Sequence, residues 1–254
     1  MRLSGGLIKS NMSPKQIIEK AFGQELTTED GDPITLELLP GLTDDEILAF
    51  EKTLPFPLPE DIRELLRFTR GFEGGYADYV DFTGGSMLLE YEWIFPLGIP
   101  IAKDGYGNFW VVDMAQSETS WGPVYFAGHD PAVVLMQGPS LMHFLEELFK
   151  LSVEPYEGIA NDVHDDNVFD VWEKNPGVLS WADCAAGQDA ELRAFAETLD
   201  PVCQIIDLRN APIGMGFSWG RYGGPESVHR HGNFPIFAYT PKKSIFNRLF
   251  NRNK

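Results

Sequence analysis

Between residues 13 and 71 the apolar positions recur at helical spacing three times. Ile17, Ile18 and Ala21 follow Ser13 and Pro14, which predicts a helix over 13–22 with Ser13 as cap and Pro14 in its first position. Ile47, Phe50 and Leu54 follow Thr43-Asp44-Asp45-Glu46, a capping box in which the Thr43 hydroxyl accepts from the Glu46 amide and the Glu46 carboxylate reaches back to the cap. Pro55 and Pro57 stop that helix. Pro59 opens a third at its first position, with Glu60 and Asp61 at the positive end of the dipole. Ile62, Leu65, Leu66 and Thr69 form its inner face, and Gly71 is expected as a left-handed C-terminal cap.

After Gly71 the pattern changes to short apolar segments divided by glycines, the spacing of antiparallel strands joined by tight turns. Residues 86–91, 93–97 and 109–113 are expected strands, the last after the turn residues Asp104-Gly105 and Gly107-Asn108. Residues 34–39 read as an edge strand ahead of the signature helices. Helical spacing returns at Leu141, Phe144, Leu145, Leu148 and Phe149, behind a Ser140 cap. Helices before and after a run of strands imply an α+β fold, an antiparallel sheet packed against N-terminal and closing helices. Past residue 152 the composition shifts. Asp162-Val163-His164-Asp165-Asp166-Asn167 reads as a solvated acidic loop, and residues 190–199 as a helix capped by Asp189. Residues 202–208, 213–219 and 234–239 have strand composition, either as a smaller α+β unit or as extra strands laid on the first domain. The tail 242–252 is amphipathic and basic.

Charge adds a direction. The net charge is −18, and residues 71–173 hold 18 acids against Lys103 and Lys150 alone, so almost the whole excess lies in the middle. Such a segment repels phosphates and draws basic proteins, although acidity also serves simple solubility. No nucleic-acid partner is expected for the main domain; membrane or nucleic-acid contact is conceivable for the basic tail. Two cysteines, Cys184 and Cys203, are too few for a disulfide framework, and no stretch approaches a membrane span, so the chain is expected to be cytoplasmic.

The order capping acid, E-I-x-x-F-E, a short break, L-P-x-D, an apolar helix and a closing Gly, carried by Glu46, Ile47, Phe50, Glu51, Leu58, Pro59, Asp61 and Gly71, resembles the opening of the SUKH superfamily, specifically the Smi/Knr cell-wall-regulator-like family. Arg70 departs from the Asn usual before that Gly. Residues 103–108 with 109–113, then 123–126, His129-Asp130 and 140–145 are similar to the family's later landmarks. The resemblance covers roughly residues 36–152, leaving 1–35 as helix and linker and 153–254 as an extension of unknown class. It implies a protein-binding module without cofactor, an immunity protein that occludes the basic site of a toxin, or alternatively a regulatory scaffold.

The partner face expected from the residues themselves lies between Phe72 and Trp93: Tyr76, Asp78, Tyr79, Asp81, Glu90, Glu92 and Trp93 combine aromatic anchors with carboxylates for steering. A strand pair with buried aromatics and solvated acids is an equal reading. Other motifs carry less. Gly216-Phe217-Ser218-Trp219-Gly220 matches a nucleophile elbow, but Arg221 to Pro225 cannot begin the helix that a hydrolase serine requires. His229-Arg230-His231 and His164 among its aspartates lack the converging ligand set or register of a metal site.

Overall fold

The computed structural model describes residues 12–85, 87, 92–116, 121–219 and 227–241. In chain order, helix α1 (Pro14–Phe22), strand β1 (Glu37–Leu38) and helices α2 (Asp44–Glu51) and α3 (Glu60–Phe68) come first. Strands β2 (Gly71–Glu73), β3 (Tyr79–Asp81), β4 (Gly98–Lys103), β5 (Phe109–Asp113), β6 (Val124–Gly128) and β7 (Val133–Gly138) follow, closed by α4 (Leu141–Lys150). A continuous helical run then joins α5 (Ile159–Asn161), a π-helical stretch (Asp162–Asn167) and α6 (Val168–Lys174). The chain continues through β8 (Val178–Ser180), α7 (Trp181–Ala186), α8 (Ala190–Glu197), β9 (Gln204–Asp207), β10 (Gly216–Ser218), β11 (Val228–Arg230) and β12 (Ile236–Tyr239). The expected α+β class holds.

Local chemistry sets the helix starts. The Ser13 hydroxyl accepts from Gln16 N while the Gln16 side chain accepts from Ser13 N, and Thr43 and Glu46 form the same reciprocal pair. Ser140 and Asp189 cap α4 and α8. Pro59 proves to be the cap of α3, and α2 ends at Glu51, ahead of the prolines. Gly71 does not close α3 in a left-handed turn; Thr69 caps that helix in extended geometry and Gly71 opens β2. A Cβ on Gly71 would overlap the Val80 carbonyl of the adjacent strand, so the glycine serves a close backbone approach.

Two sheets, every pairing antiparallel, build the centre. One has eight strands in the order β1-β2-β3-β4-β5-β6-β7-β10, the other four in the order β11-β12-β9-β8. In the first sheet Phe72, Val80, Trp110, Val112, Phe126 and Leu135 point to the layer of α1, α3 and α4 and are essentially closed to solvent. Their neighbours Val111, Tyr125, Ala127, Val134 and Phe217 point the other way and meet Ile206, Phe237 and Tyr239 of the second sheet. Ile205, Ile236 and Ala238 on that sheet's far side pack on Cys184, Phe195 and Ala196 of α7 and α8. The architecture is helices, sheet, sheet, helices. Because both faces of the first sheet are covered, its central strands read as unbroken apolar runs instead of the alternation of a half-solvated sheet.

The second sheet is tied to the first by charge as well. Arg230 Nη2 lies 2.6 Å from Asp113 Oδ2, with side chains 4% and 0% exposed. The guanidinium also donates to the carbonyls of Ile94, Asn233 and Phe234 and lies over the Phe237 ring. Residues 93–97 are turns instead of a strand, because Ile94 and Phe95 are both drawn into this second core while Trp93 stays outside. Of the strand expected over 86–91, residues 86 and 88–91 lie outside the described residues, as does the basic tail from residue 242.

Candidate functional site

The second sheet does not cover the whole of the first. Residues in register across the first sheet run Glu37, Glu73, Tyr79, Lys103, Phe109, Ala127, Val134 and Phe217, one per strand, and so share one face. At the β10 end this row is buried under β9 and β12. At the β1 end Glu37 and Glu73 are exposed and stand directly opposite each other, with Tyr79 beside Glu73 and the Lys103 ammonium 5.3 Å from the Tyr79 ring centroid. Like charges opposed across a strand pair destabilise the pair, so this arrangement is not set by the sheet's own stability. Asp78, also exposed, extends the acidic rim around the sheet end, where a Cβ on Gly105 would overlap its carboxylate. Tyr106, at the tip of the β4–β5 hairpin, is almost wholly exposed.

On the helix side of the same end, His164 from the π-helical stretch docks on the hairpin. Its Nε2 is 3.3 Å from Asp104 Oδ2, and its Nδ1 is 3.0 Å from the Tyr76 hydroxyl and 3.2 Å from Asp165 Oδ1. The Tyr76 hydroxyl donates to Asn161 Oδ1 at 3.1 Å. Asp104 also accepts from the amides of Tyr106 and Asn108 and from the Asn108 side chain, which fixes the hairpin loop. The imidazole lies against Phe126, Tyr76 and Trp110. The hydrogen bond to Asp104 raises the His164 pKa above its ordinary value, against the downward pull of burial. Burial pulls the Asp104 carboxyl up, but the bonds from His164, Asn108 and the two amides outweigh it and hold the carboxyl below its ordinary value. Burial, with the charges of Asp165 and Asp104, pushes the Tyr76 phenol well up, so it stays a neutral donor. The cluster is a latch between the helical run and the sheet.

The SMI1 / KNR4 family (SUKH-1) model matches residues 41–147, from the loop ahead of α2 to α4. Those residues form a SUKH-1 domain. No curated protein and no solved structure gives a significant match to the chain. SUKH-1 domains are generally non-catalytic, and the family includes immunity proteins and SMI1/KNR4-type members. His164, Asn161 and the second sheet all lie outside the matched stretch, so the SUKH-1 domain of this chain is completed by its C-terminal half.

Of the seven residues expected to form one partner face, the structure keeps two ends apart. Tyr76, Asp78 and Tyr79 lie at the hairpin end of the SUKH-1 sheet, and Glu92 and Trp93 lie ahead of β4 at its other end, roughly 17 Å away along a six-residue strand. Trp93 is 58% exposed. Asp81 is 1% exposed, accepting from the Thr83 amide and hydroxyl with Arg70 Nε 3.4 Å away, so it organises the β3 turn and does not reach the surface. Tyr76 turns inward to His164 instead of outward, and Glu90 lies outside the described residues.

The stretch Asp162–Asn167 is helical, not a loop: Val163 is buried and Asp162, Asp165 and Asp166 remain exposed. Sequence reasoning missed His164 and Asp104 because the signal, a histidine bracketed by acids and a hairpin aspartate 60 positions earlier, becomes meaningful only when the two segments meet. Ser218 is a fully buried β10 residue opposite Val133, as expected of a strand serine. His231 pairs with Glu191 at 3.0 Å and stacks on Phe234, and His229 is exposed. Cys184 and Cys203 are both buried and free. Among the described residues no group of three metal-ligating side chains converges, and no helix is long and apolar enough to cross a membrane.

Proposed function

We propose that this protein is a non-enzymatic protein-binding module, an immunity protein that neutralises a toxin by laying the acidic rim at the β1 end of its first sheet over a basic site. One observation carries the reading: Glu37 and Glu73 oppose each other on the uncovered sheet end, beside Tyr79 and Asp78. A cationic partner relieves that repulsion, and Tyr79 and Tyr106 supply aromatic contact area. The rigid double-sheet scaffold presents these groups with little rearrangement on binding, so recognition is steered by charge and falls with salt. Glu92 and Trp93, at the far end, form a separate contact in a partner large enough to span both.

The test starts from a pull-down with the full chain in its native cell extract, washed at low and high salt, to isolate the partner. Glu37→Lys, Glu73→Lys and Asp78→Lys together should then lower the association rate at low salt about tenfold or more and flatten its salt dependence, with unchanged thermal unfolding. A partner that binds the triple variant at the wild-type rate overturns the proposed face. A catalytic activity traced to this chain overturns the module.

A further inference from the structure

Beside the acidic rim, under the loop between α1 and β1, lies a cavity of about 420 Å³ that includes Thr28, Glu29, Gly75, Tyr76, Tyr156 and Asn161 in its lining. Its walls come from four separated parts of the chain and its chemistry is uneven. Among the described lining residues Glu29 has the only charged side chain, and none is basic. Acceptors dominate: the Glu29 carboxylate, Asn161 Oδ1, which takes a single bond from Tyr76, and the phenol oxygens of Tyr76 and Tyr156. Two tyrosines, Tyr76 and Tyr156, are among its lining residues, and an aromatic ring attracts a cation that meets its face.

The backbone adds a second sign. Tyr156 sits at φ +61°, a conformation that a bulky side chain rarely adopts, and its hydroxyl is held by Thr27 Oγ1 at 2.7 Å. Strain of this kind, anchored at both ends of the side chain, is how a wall residue is held in place ahead of a ligand. Behind Tyr76 stand the Asp104 and Asp165 carboxylates on either side of His164, and burial together with these carboxylates keeps the phenol protonated.

We infer that this cavity receives an alkylguanidinium group, the side chain of an arginine on the basic partner. The inference deepens the reading above and rests on it for the source of the cation. The cavity has ample volume for one arginine side chain, Glu29 supplies the counter-charge, and the tyrosine rings supply stacking faces that a planar guanidinium uses better than an ammonium. The cavity lies beside the rim: Gly75 in its wall follows Gly74, where a Cβ would overlap the Thr35 carbonyl two residues before Glu37.

Ethylguanidinium chloride, titrated into the full chain and followed by NMR at the Gly75 amide and the Tyr76 and Tyr156 rings, tests it directly. Saturable shifts are expected, absent with propionate and with neutral ethylurea. Glu29→Gln should weaken binding about fivefold, whereas Asp166→Lys on the exposed helix face should leave it unchanged. Glu29 is exposed, so the variant retains the fold, which a matching thermal unfolding curve checks. No saturable shift, equal binding of ethylurea or propionate, or an unaltered affinity in Glu29→Gln each overturns the inference. The titration needs no macromolecular partner, so a failed rim experiment leaves its result standing, and a failed titration leaves the rim intact.

Discussion

Removing Arg230 should cost more stability than any surface change in the chain. The guanidinium is 4% exposed, pairs with a fully buried Asp113 at 2.6 Å, and donates to three backbone carbonyls at the seam between the two sheets. Arg230→Met keeps an apolar stem but removes the guanidinium that lies over Phe237 and leaves a carboxylate in a dry site, which costs about 3–5 kcal/mol. Asp113→Asn keeps the shape and the three carbonyl bonds but leaves the buried guanidinium without a counter-charge, which costs about 3 kcal/mol, the low end of the range for such a site because the carbonyls still solvate it. The double variant removes both charges and should be less destabilised than Arg230→Met alone, since two uncharged groups carry no ionic desolvation penalty. Burial already pushes the Asp113 carboxyl up. Without Arg230 its folded pKa rises further above the unfolded value, so the penalty is full above the folded pKa and vanishes as the pH falls toward the unfolded one. Urea unfolding at about pH 7.5 and pH 5, extrapolated linearly, measures all three variants. An Arg230→Met protein within about 1 kcal/mol of wild type at the higher pH, or a deficit that does not narrow on acidification, refutes the account.

Three further outcomes are expected. The latch contributes stability that is complete below the ordinary histidine pKa and is lost as the pH rises through the raised folded value, so the advantage of wild type over His164→Gln in urea midpoint should shrink between about pH 6 and pH 8.5; a constant difference would show that the charge of His164 is irrelevant. Gly71→Ala should cost about 2–3 kcal/mol in the same assay because its Cβ strikes the Val80 carbonyl, whereas Gly31→Ala, at φ +86° with open space around it, should cost about 1 kcal/mol. Thr43→Ala removes the hydroxyl that accepts from the Glu46 amide, leaves the Thr43 backbone amide still donating to the Glu46 carboxylate, and should cost about 1 kcal/mol by chemical denaturation; a neutral result would mean water replaces the hydroxyl without loss.

What the sequence disclosed follows the range of the forces involved. Ser13, Thr43, Ser140 and Asp189 could be read as caps because each bonds amides within three residues, and the hairpin at 104–108 because Gly105 and Gly107 take positive φ locally. Gly71 was misjudged because its constraint comes from Val80, on another strand. The helical run was hidden by its own geometry. Val163 and Val168 are both buried yet five apart, joined by the Val168 amide donating to the Val163 carbonyl, a spacing that no 3.6-residue template detects. Asp81 counted as a surface acid until Arg70 and Thr83 enclosed it. The uncovered end of the sheet was illegible for a similar reason: which face stays open depends on β9 and β12, and β10 joins β7 from more than 70 positions away.

That late strand sets a limit on how this module can be inherited. A recombination event that copied only residues 41–147 into a foreign host would carry Val111, Tyr125, Ala127 and Val134 with it as a bare greasy flank, stripped of the lid that β9 and β12 provide here. The transplant would stick to itself before it could meet a target. The matched stretch and the set of residues that shields its apolar flank therefore differ in length.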